Sequence, residues 1–213
     1  MRTSITLIVA LISISSCYSQ TADEYYKRGL AKSNLQDYRG AIADYTKAIE
    51  LNPAYSDVYI NRGNAPAHSN AYYNRGTTKN DLEDYRGAIA DYNKSIELNP
   101  DFSDAYYNSG QAKYRLQDYQ GAIYDYSKAI ELKPDFLAYY NRGLNKFNLQ
   151  DYRGAIADYN KAIELKPDYM QFYFSRGLAK IAIGQKDNGC LDLSKAGELG
   201  HPKAYDTIKE LCN

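Results

Sequence analysis

Apolar residues along most of this chain recur at the spacing of a single helix face. From Asp37, the segment DYRGAIADYTKAIELNP places Tyr38, Ala41, Ile42, Tyr45, Ala48 and Ile49 at i, i+3, i+4, i+7, i+10 and i+11. That spacing makes one apolar stripe with polar residues opposite. Asp37 has the side chain of a helix N-cap and Pro53 cannot continue a helix, so the pattern predicts a helix between them. Nearly the same segment returns from Asp84 (DYRGAIADYNKSIELNP), Asp118 (DYQGAIYDYSKAIELKP) and Asp151 (DYRGAIADYNKAIELKP). Ahead of each lies a Tyr-rich helical stretch centred on a glycine: Gly29, Gly76, Gly110 and Gly143, with Gly177 beginning a fifth. From Gly76 onward these glycines are 34, 33 and 34 residues apart. A pair of short amphipathic helices per period cannot bury its apolar face alone, whereas stacked neighbours can. The expected fold is therefore all-α, an α-solenoid.

The register residues add a family resemblance. Each first helix carries an aromatic (Tyr25, Tyr72, Tyr106, Tyr139, Tyr173) with the glycine four positions on. Second helices carry Ala, Tyr and Ala, as in Ala41, Tyr45 and Ala48, Ala122, Tyr126 and Ala129, or Ala155, Tyr159 and Ala162, and Pro53, Pro100, Pro134 and Pro167 close the repeats. Over about residues 22–200 this resembles the tetratricopeptide repeat family. The resemblance implies helix-turn-helix repeats whose first helices line a concave groove for peptides or partner helices. The inward stripe it implies is Tyr73, Thr77 and Asn80, then Tyr107, Gln111 and Tyr114, then Tyr140, Leu144 and Phe147, then Phe174, Leu178 and Ile181. The stripe becomes more apolar toward the C-terminus, as suits an extended or helical apolar segment. Repeat-to-repeat packing is the alternative role for the tyrosines; Leu144, Phe147 and Ile181 depart further from the consensus. Asn74, Asn108 and Asn141 form a second ladder beside the tyrosines and are expected in the groove with them. In relatives that clamp acidic C-terminal tails a lysine precedes such an Asn; here Tyr73, Tyr107 and Tyr140 precede it, so no such clamp is expected.

The repeats are expected at 22–53, 69–102, 103–135, 136–168 and, degenerate, 169–201, with a capping helix over 202–213. Between the first two, SDVYINRGNAPAH and SNAYYNRGTTKND are successive copies of a first-helix start. Pro66 should end the first copy at or before Ala65, so 54–68 is expected to hold an orphan helix and to break or kink the stack. A residue is missing at Leu137, and Gly189, Cys190 and His201 replace the usual Ala, Ile and Pro in the last repeat. Ala204, Ile208, Leu211 and Cys212 share one side of the final helix, whose other side is charged.

Residues 1–19 differ from the rest: Arg2, the apolar run Ile5–Ile14, then Ser15 and Ser16 have the shape of a secretory signal. Two processing routes fit. Cleavage after Ser19 would leave Gln20 first; Ile14-Ser15-Ser16-Cys17 also resembles a lipobox, which implies cleavage before Cys17 and lipidation of its sulfur. Both predict an exported, periplasmic or envelope-associated protein, touching membrane only through a lipid at Cys17. Export leaves Cys190 and Cys212 as an even pair. Bridged, they would close a loop of about 23 residues and contribute ~3 kcal/mol; otherwise they are two small buried hydrophobes. The signal, the Tyr-rich repeats and the cysteine-bearing cap resemble small envelope repeat proteins of the Bacteroidetes type.

Composition narrows the function. Lys and Arg number 26 against 26 Asp and Glu, which leaves no basic excess for nucleic acid. With 2 His and 3 Cys, no metal site or cofactor is expected, and His68 and His201 are expected in solvated loops without a nucleophile motif beside them. A basic ladder recurs: Arg28 and Lys32, Arg75 and Lys79, Lys113, Arg142 and Lys146, Arg176 and Lys180. It is expected to make exposed pairs with Asp44, Asp91, Asp125 and Asp158, each contributing at most ~1 kcal/mol; an anionic ligand is its other possible partner. The expected function is a non-enzymatic scaffold binding a protein segment, with a self-associating structural repeat as the alternative.

Overall fold

The computed structural model describes residues 20–51 and 65–212, of 65–68 the backbone alone. Eleven helices lie among the described residues. In chain order they are α1 (Ala22–Asn34), α2 (Tyr38–Leu51), α3 (Ala65–Asp81), α4 (Tyr85–Leu98), α5 (Ser103–Arg115), α6 (Tyr119–Leu132), α7 (Phe136–Asn148), α8 (Tyr152–Leu165), α9 (Met170–Ala182), α10 (Lys186–Glu198) and α11 (Ala204–Leu211). Odd and even helices pair from α1/α2 to α9/α10, each even helix packs on the next odd one, and α11 closes the stack against α10.

Each pair turns in the same way. At the end of α1 the Asp37 N–H donates to Lys32 O at 2.9 Å and the Gln36 N–H to Ser33 O at 2.9 Å. This is a Schellman-type end and puts Gln36 in the left-handed region at φ 62°. Glu83, Gln117 and Gln150 repeat that conformation, and the fifth turn has Gly184 there at φ 83°. The next residue starts the second helix: Asp37, Asp84, Asp118 and Asp151 each accept the N–H of the glycine three on, at 2.9–3.0 Å.

Inside a pair the glycine of the first helix lies against the second-helix tyrosine. A Cβ on Gly143 would stand 2.7 Å from the Tyr159 ring, and one on Gly29 2.7 Å from Tyr45. Tyr45, Tyr92, Tyr126 and Tyr159 are all but fully buried, as are the alanines around them. In the last pair Leu193 replaces the tyrosine and Gly177 faces the Gly189 carbonyl, so the two backbones approach more closely. Cys190 and Cys212 form a disulfide with Cα atoms 5.9 Å apart, tying the end of α11 to α10.

Two expectations fail. The orphan helix falls mostly outside the described residues, but α3 begins at Ala65 with Pro66 in its first turn, where the missing N–H costs nothing. His68 thus has helical backbone rather than that of a loop. Nor is the stack broken at this point, because α3 packs on α2 as later helices do. Asn74 donates to Tyr26 Oη at 3.0 Å and Arg75 Nη1 to Thr46 Oγ1 at 3.2 Å across the junction. The insertion lengthens the connection without displacing the helices, since the junction is made by side chains outside it.

Candidate functional site

The odd helices line one face, and their tyrosine and asparagine ladders there are a single structure. Asn108 Nδ2 donates to Tyr73 Oη at 2.8 Å and Asn141 Nδ2 to Tyr107 Oη at 2.9 Å, repeating the Asn74–Tyr26 bond. At the last junction Ser175 replaces Asn and lies 3.4 Å from Tyr140 Oη. Each tyrosine also packs its ring on that of its own second helix: Tyr73 on Tyr92, Tyr107 on Tyr126, Tyr140 on Tyr159, at 5.6–5.9 Å. Burial pushes the Tyr73, Tyr107 and Tyr140 phenols up, so they stay neutral. These tyrosines and asparagines hold repeat to repeat, and their hydrogen-bonding capacity is largely spent.

Two depressions open between the ladder and the ends of the helices, with Leu144 as their common wall. The first, about 270 Å³, is lined by Asn80 of α3, Gln111, Tyr114 and Arg115 of α5, and Asn141, Leu144 and Asn145 of α7, with Tyr126 at its floor. Gln111 Nε2 is tethered to Tyr107 Oη at 3.2 Å and Asn145 Nδ2 to the Asn141 carbonyl at 2.7 Å. The amide oxygens of Asn80 and Asn145 are buried and meet no donor among the described residues. The second depression, about 90 Å³, is apolar: Leu144, Phe147, Tyr159, Phe174, Ser175 and Leu178.

Of the expected groove residues, Asn80, Gln111, Tyr114, Asn141, Leu144, Phe147, Phe174 and Leu178 come together here. Ile181 does not: its Cγ1 would be 2.5 Å from a Cβ on Gly189, so it packs inside the last pair, where a glycine leaves room for it. Asn145 is absent from the sequence-derived set, although its signal was available: it stands where neighbouring repeats have Ala112 and Ala179. His201 is not in solvent either. Its ring stacks on Phe174 at 3.9 Å and 14°, burying Nδ1 without a partner, and burial with nearby Lys203 lowers its pKa.

The basic ladder lies in ion pairs, but not exposed ones. Asp44, Asp91, Asp125, Asp158 and Asp192 are buried, at 3–6% exposure. Arg142 Nε and Nη2 donate to the two Asp158 oxygens at 2.9 and 2.6 Å, Lys146 Nζ lies 2.8 Å from Oδ2, and the guanidinium covers the Tyr139 ring at 5.5 Å. Arg28, Arg75 and Arg176 repeat this on Asp44, Asp91 and Asp192. Being bidentate and desolvated, they are stronger than surface pairs. The third pair differs: Ser109 stands in the arginine's place, leaving Asp125 to Lys113 at 2.6 Å.

Among the described residues no group of three or more His, Cys, Asp or Glu could hold a metal ion, and no helix is long and apolar enough to cross a membrane.

Comparison with known proteins agrees with this architecture. The chain is 43% identical over 44 residues to an uncharacterized protein, MJ0572, of Methanocaldococcus jannaschii; the match spans 21% of this chain and about half (51%) of that relative. A solved structure of MamA protein superposes with a TM-score of 0.75 at 28% identity, over 86% of this chain and 94% of that one. YrrB, described as a TPR protein with an unusual peptide-binding site, superposes with a TM-score of 0.76 at 21% identity, over 88% and 92%, a likeness of fold. Sequence profiles of the tetratricopeptide repeat match residues 22–55, 69–102 and 103–136, and a TPR repeat profile matches 145–184. With more than half of its length so matched and its helix pairs stacked as a protein-interaction scaffold, this chain belongs to the tetratricopeptide repeat family.

Proposed function

We propose that the concave face binds a segment of another protein, with the adjoining depressions at Leu144 as the site. One observation carries the reading. Two buried amide oxygens, of Asn80 and Asn145, meet no donor in one depression, and the next is walled by Leu144, Phe147, Phe174 and Leu178. Such a surface gives an extended or helical segment a polar ledge that includes Gln111 and Arg115, beside an apolar seat for one of its side chains. The peptide-binding site for which YrrB is described lends this further support. Arg2 and the run Ile5–Ile14 favour an exported adaptor or assembly factor at the cell envelope, and with the Tyr-rich repeats and the cysteine-bearing cap they suit a Bacteroidetes-like source. It is released after Ser19 or lipid-anchored at Cys17; both positions lie outside the described residues.

The test is affinity capture from an envelope extract with the processed protein and with Leu178→Asp and Asn80→Ala variants, each verified as folded by circular dichroism. A partner retained by the natural chain and lost from both variants is the expected result. The same catch from all three, or only further copies of this chain, would overturn the proposal.

A further inference from the structure

At two junctions an aromatic ring at the start of the next odd helix lies against the groove tyrosine. Tyr73 meets Phe102 with ring centroids 4.8 Å apart, and Tyr140 meets Phe172 at 4.9 Å, tilted by 43° and 41°. The junction between them differs. Asp135 to Ala138 is one residue shorter than Asp101 to Ala105 or Asp168 to Phe172. Helix α7 therefore starts directly on its cap, the Asp135 carboxylate accepting the Leu137 and Ala138 N–H groups at 2.8 and 3.3 Å. Phe136 is carried toward the next repeat, 6.3 Å from Tyr169 and 6.1 Å from Phe172. Ala138 occupies the register position of Phe172.

Among the described residues Tyr107 thus meets Tyr126 of its own repeat and no ring of α7. Beside it is a depression of about 200 Å³ walled by Tyr107, Ala129, Leu137 and Ala138, with Ser103, Asp104, Lys133 and Asp135 on its rim. Lys133 stands against Asp104, and the Asp135 carboxylate caps the N–H groups of α7, so the rim carries one excess negative charge, which disfavours an acidic occupant. One hydrogen-bonded pair joins it to the groove: Tyr107 in its wall accepts from Asn141, which lines the depression at Leu144.

We propose that this notch is a binding site for an aromatic side chain, Phe or Tyr, of the bound protein segment, seated against Tyr107 as Phe102 and Phe172 are seated against Tyr73 and Tyr140. It rests on the reading that the concave face binds a protein segment, and it gives that segment its chemistry. An offset or tilted ring pair is favourable beyond the area it buries.

The experiment titrates N-acetyl-phenylalanine methylamide and its alanine counterpart into the processed protein, methyl-labelled at Ala and Leu, and follows the signals by NMR. Saturable shifts at Leu137, Ala138 and Ala129 are expected, with the phenylalanine probe binding roughly tenfold or more tighter than the alanine one. Ala138→Phe, which places a ring where Phe172 has one, should abolish them. Leu137→Asp, a substitution of a half-buried wall residue, should weaken them by a similar factor and serves if Ala138→Phe does not fold. Equal binding of the two probes, absence of saturable shifts at these methyls, or shifts that persist in the folded variants would overturn the proposal. So would self-association that Ala138→Phe abolishes, since the occupant would then be a second copy. A silent notch beside a partner lost with Leu178→Asp would remove the notch alone; a ring-binding notch with capture unaffected by that variant would remove the groove reading instead.

Discussion

Ser109→Arg should stabilise the protein. Asp125 is buried to 3% exposure as its four counterparts are, so the fold has already desolvated its carboxylate. Its counterparts each receive two guanidinium hydrogen bonds and a lysine; Asp125 has Lys113, and Ser109 Oγ is buried with no partner among the described residues. An arginine at 109 would find the rest of its setting present: Asp125, the Tyr106 ring corresponding to Tyr139, and Asn93 at the position of Ser127, which accepts from Arg142 Nη1 at 3.1 Å. Two hydrogen bonds to a charged group contribute ~1.5–3 kcal/mol each, against ~2 kcal/mol of side-chain entropy and the guanidinium's own desolvation. The expected net is ~1–2 kcal/mol, or roughly 2–8 °C in Tm for a chain of this size. Because arrays can unfold in parts, the sharper assay is hydrogen exchange resolved by helix: protection should rise in α5 and α6 and little elsewhere. The converse is asymmetric. Lys113→Ala should cost ~3 kcal/mol or more, since it leaves a buried carboxylate alone, whereas Lys146→Ala should cost much less because Arg142 remains. A well-folded Ser109→Arg protein with unchanged or lower stability, or equal losses from the two lysine variants, would refute the reasoning.

Other expectations follow from single contacts. The Arg28 hydrogen bonds, and behind them Lys32, hold the Asp44 carboxyl at about 2 against an ordinary 3.8. The pair's contribution should therefore be complete above about pH 4 and disappear as pH falls toward 2, seen as loss of protection in α1 and α2 that Asp44→Asn makes pH-independent. Reducing the Cys190–Cys212 bridge should cost ~3 kcal/mol and first loosen α11, measurable as rapid exchange of residues 204–211 with dithiothreitol; unchanged exchange would mean that packing alone holds the cap. Gly143→Ala drives a methyl to 2.7 Å from the Tyr159 ring and should destabilise by ~1–3 kcal/mol in urea melts, whereas the same change at Gly200, where an added Cβ meets nothing within 4 Å, should cost only its strain at φ 93°.

The fold was legible because each repeat states it again. The stripe from Tyr38 to Ile49 fixes which face of α2 is buried, and Asp37 and Pro53 bound it. Less legible was anything set by the partner of a side chain rather than by its own type. Asp44 and Arg28 read as surface charges on amphipathic helices, and only stacking shows that they close over one another. Asn108 and Asn141 read as groove donors because the sequence cannot show that Tyr73 and Tyr107 of the preceding repeat already accept from them. Ile181 shares a helix face with Leu178 but lies a turn nearer Gly189, whose missing side chain draws it inward. The notch at Tyr107 was visible only as a missing residue, since its consequence depends on where Phe136 turns.

The ladder of tyrosine acceptors and asparagine donors also bears on how such a chain lengthens. Each of the three repeats from α3 to α8 offers an acceptor to its successor and a donor to its predecessor, so a duplicate of one of them inherits a working junction on both sides. Connection length is not part of that junction: Asn74 reaches Tyr26 although 13 more residues separate them than separate Asn108 from Tyr73. Duplication and insertion are thereby tolerated independently, the one by the helices and the other by the linkers. The series stops where its vocabulary changes, at Ser175 in place of asparagine and Leu193 in place of tyrosine, followed by a helix fastened covalently. A further repeat appended after α11 would find no acceptor waiting for it, whereas one inserted between α4 and α5 would find both partners in place.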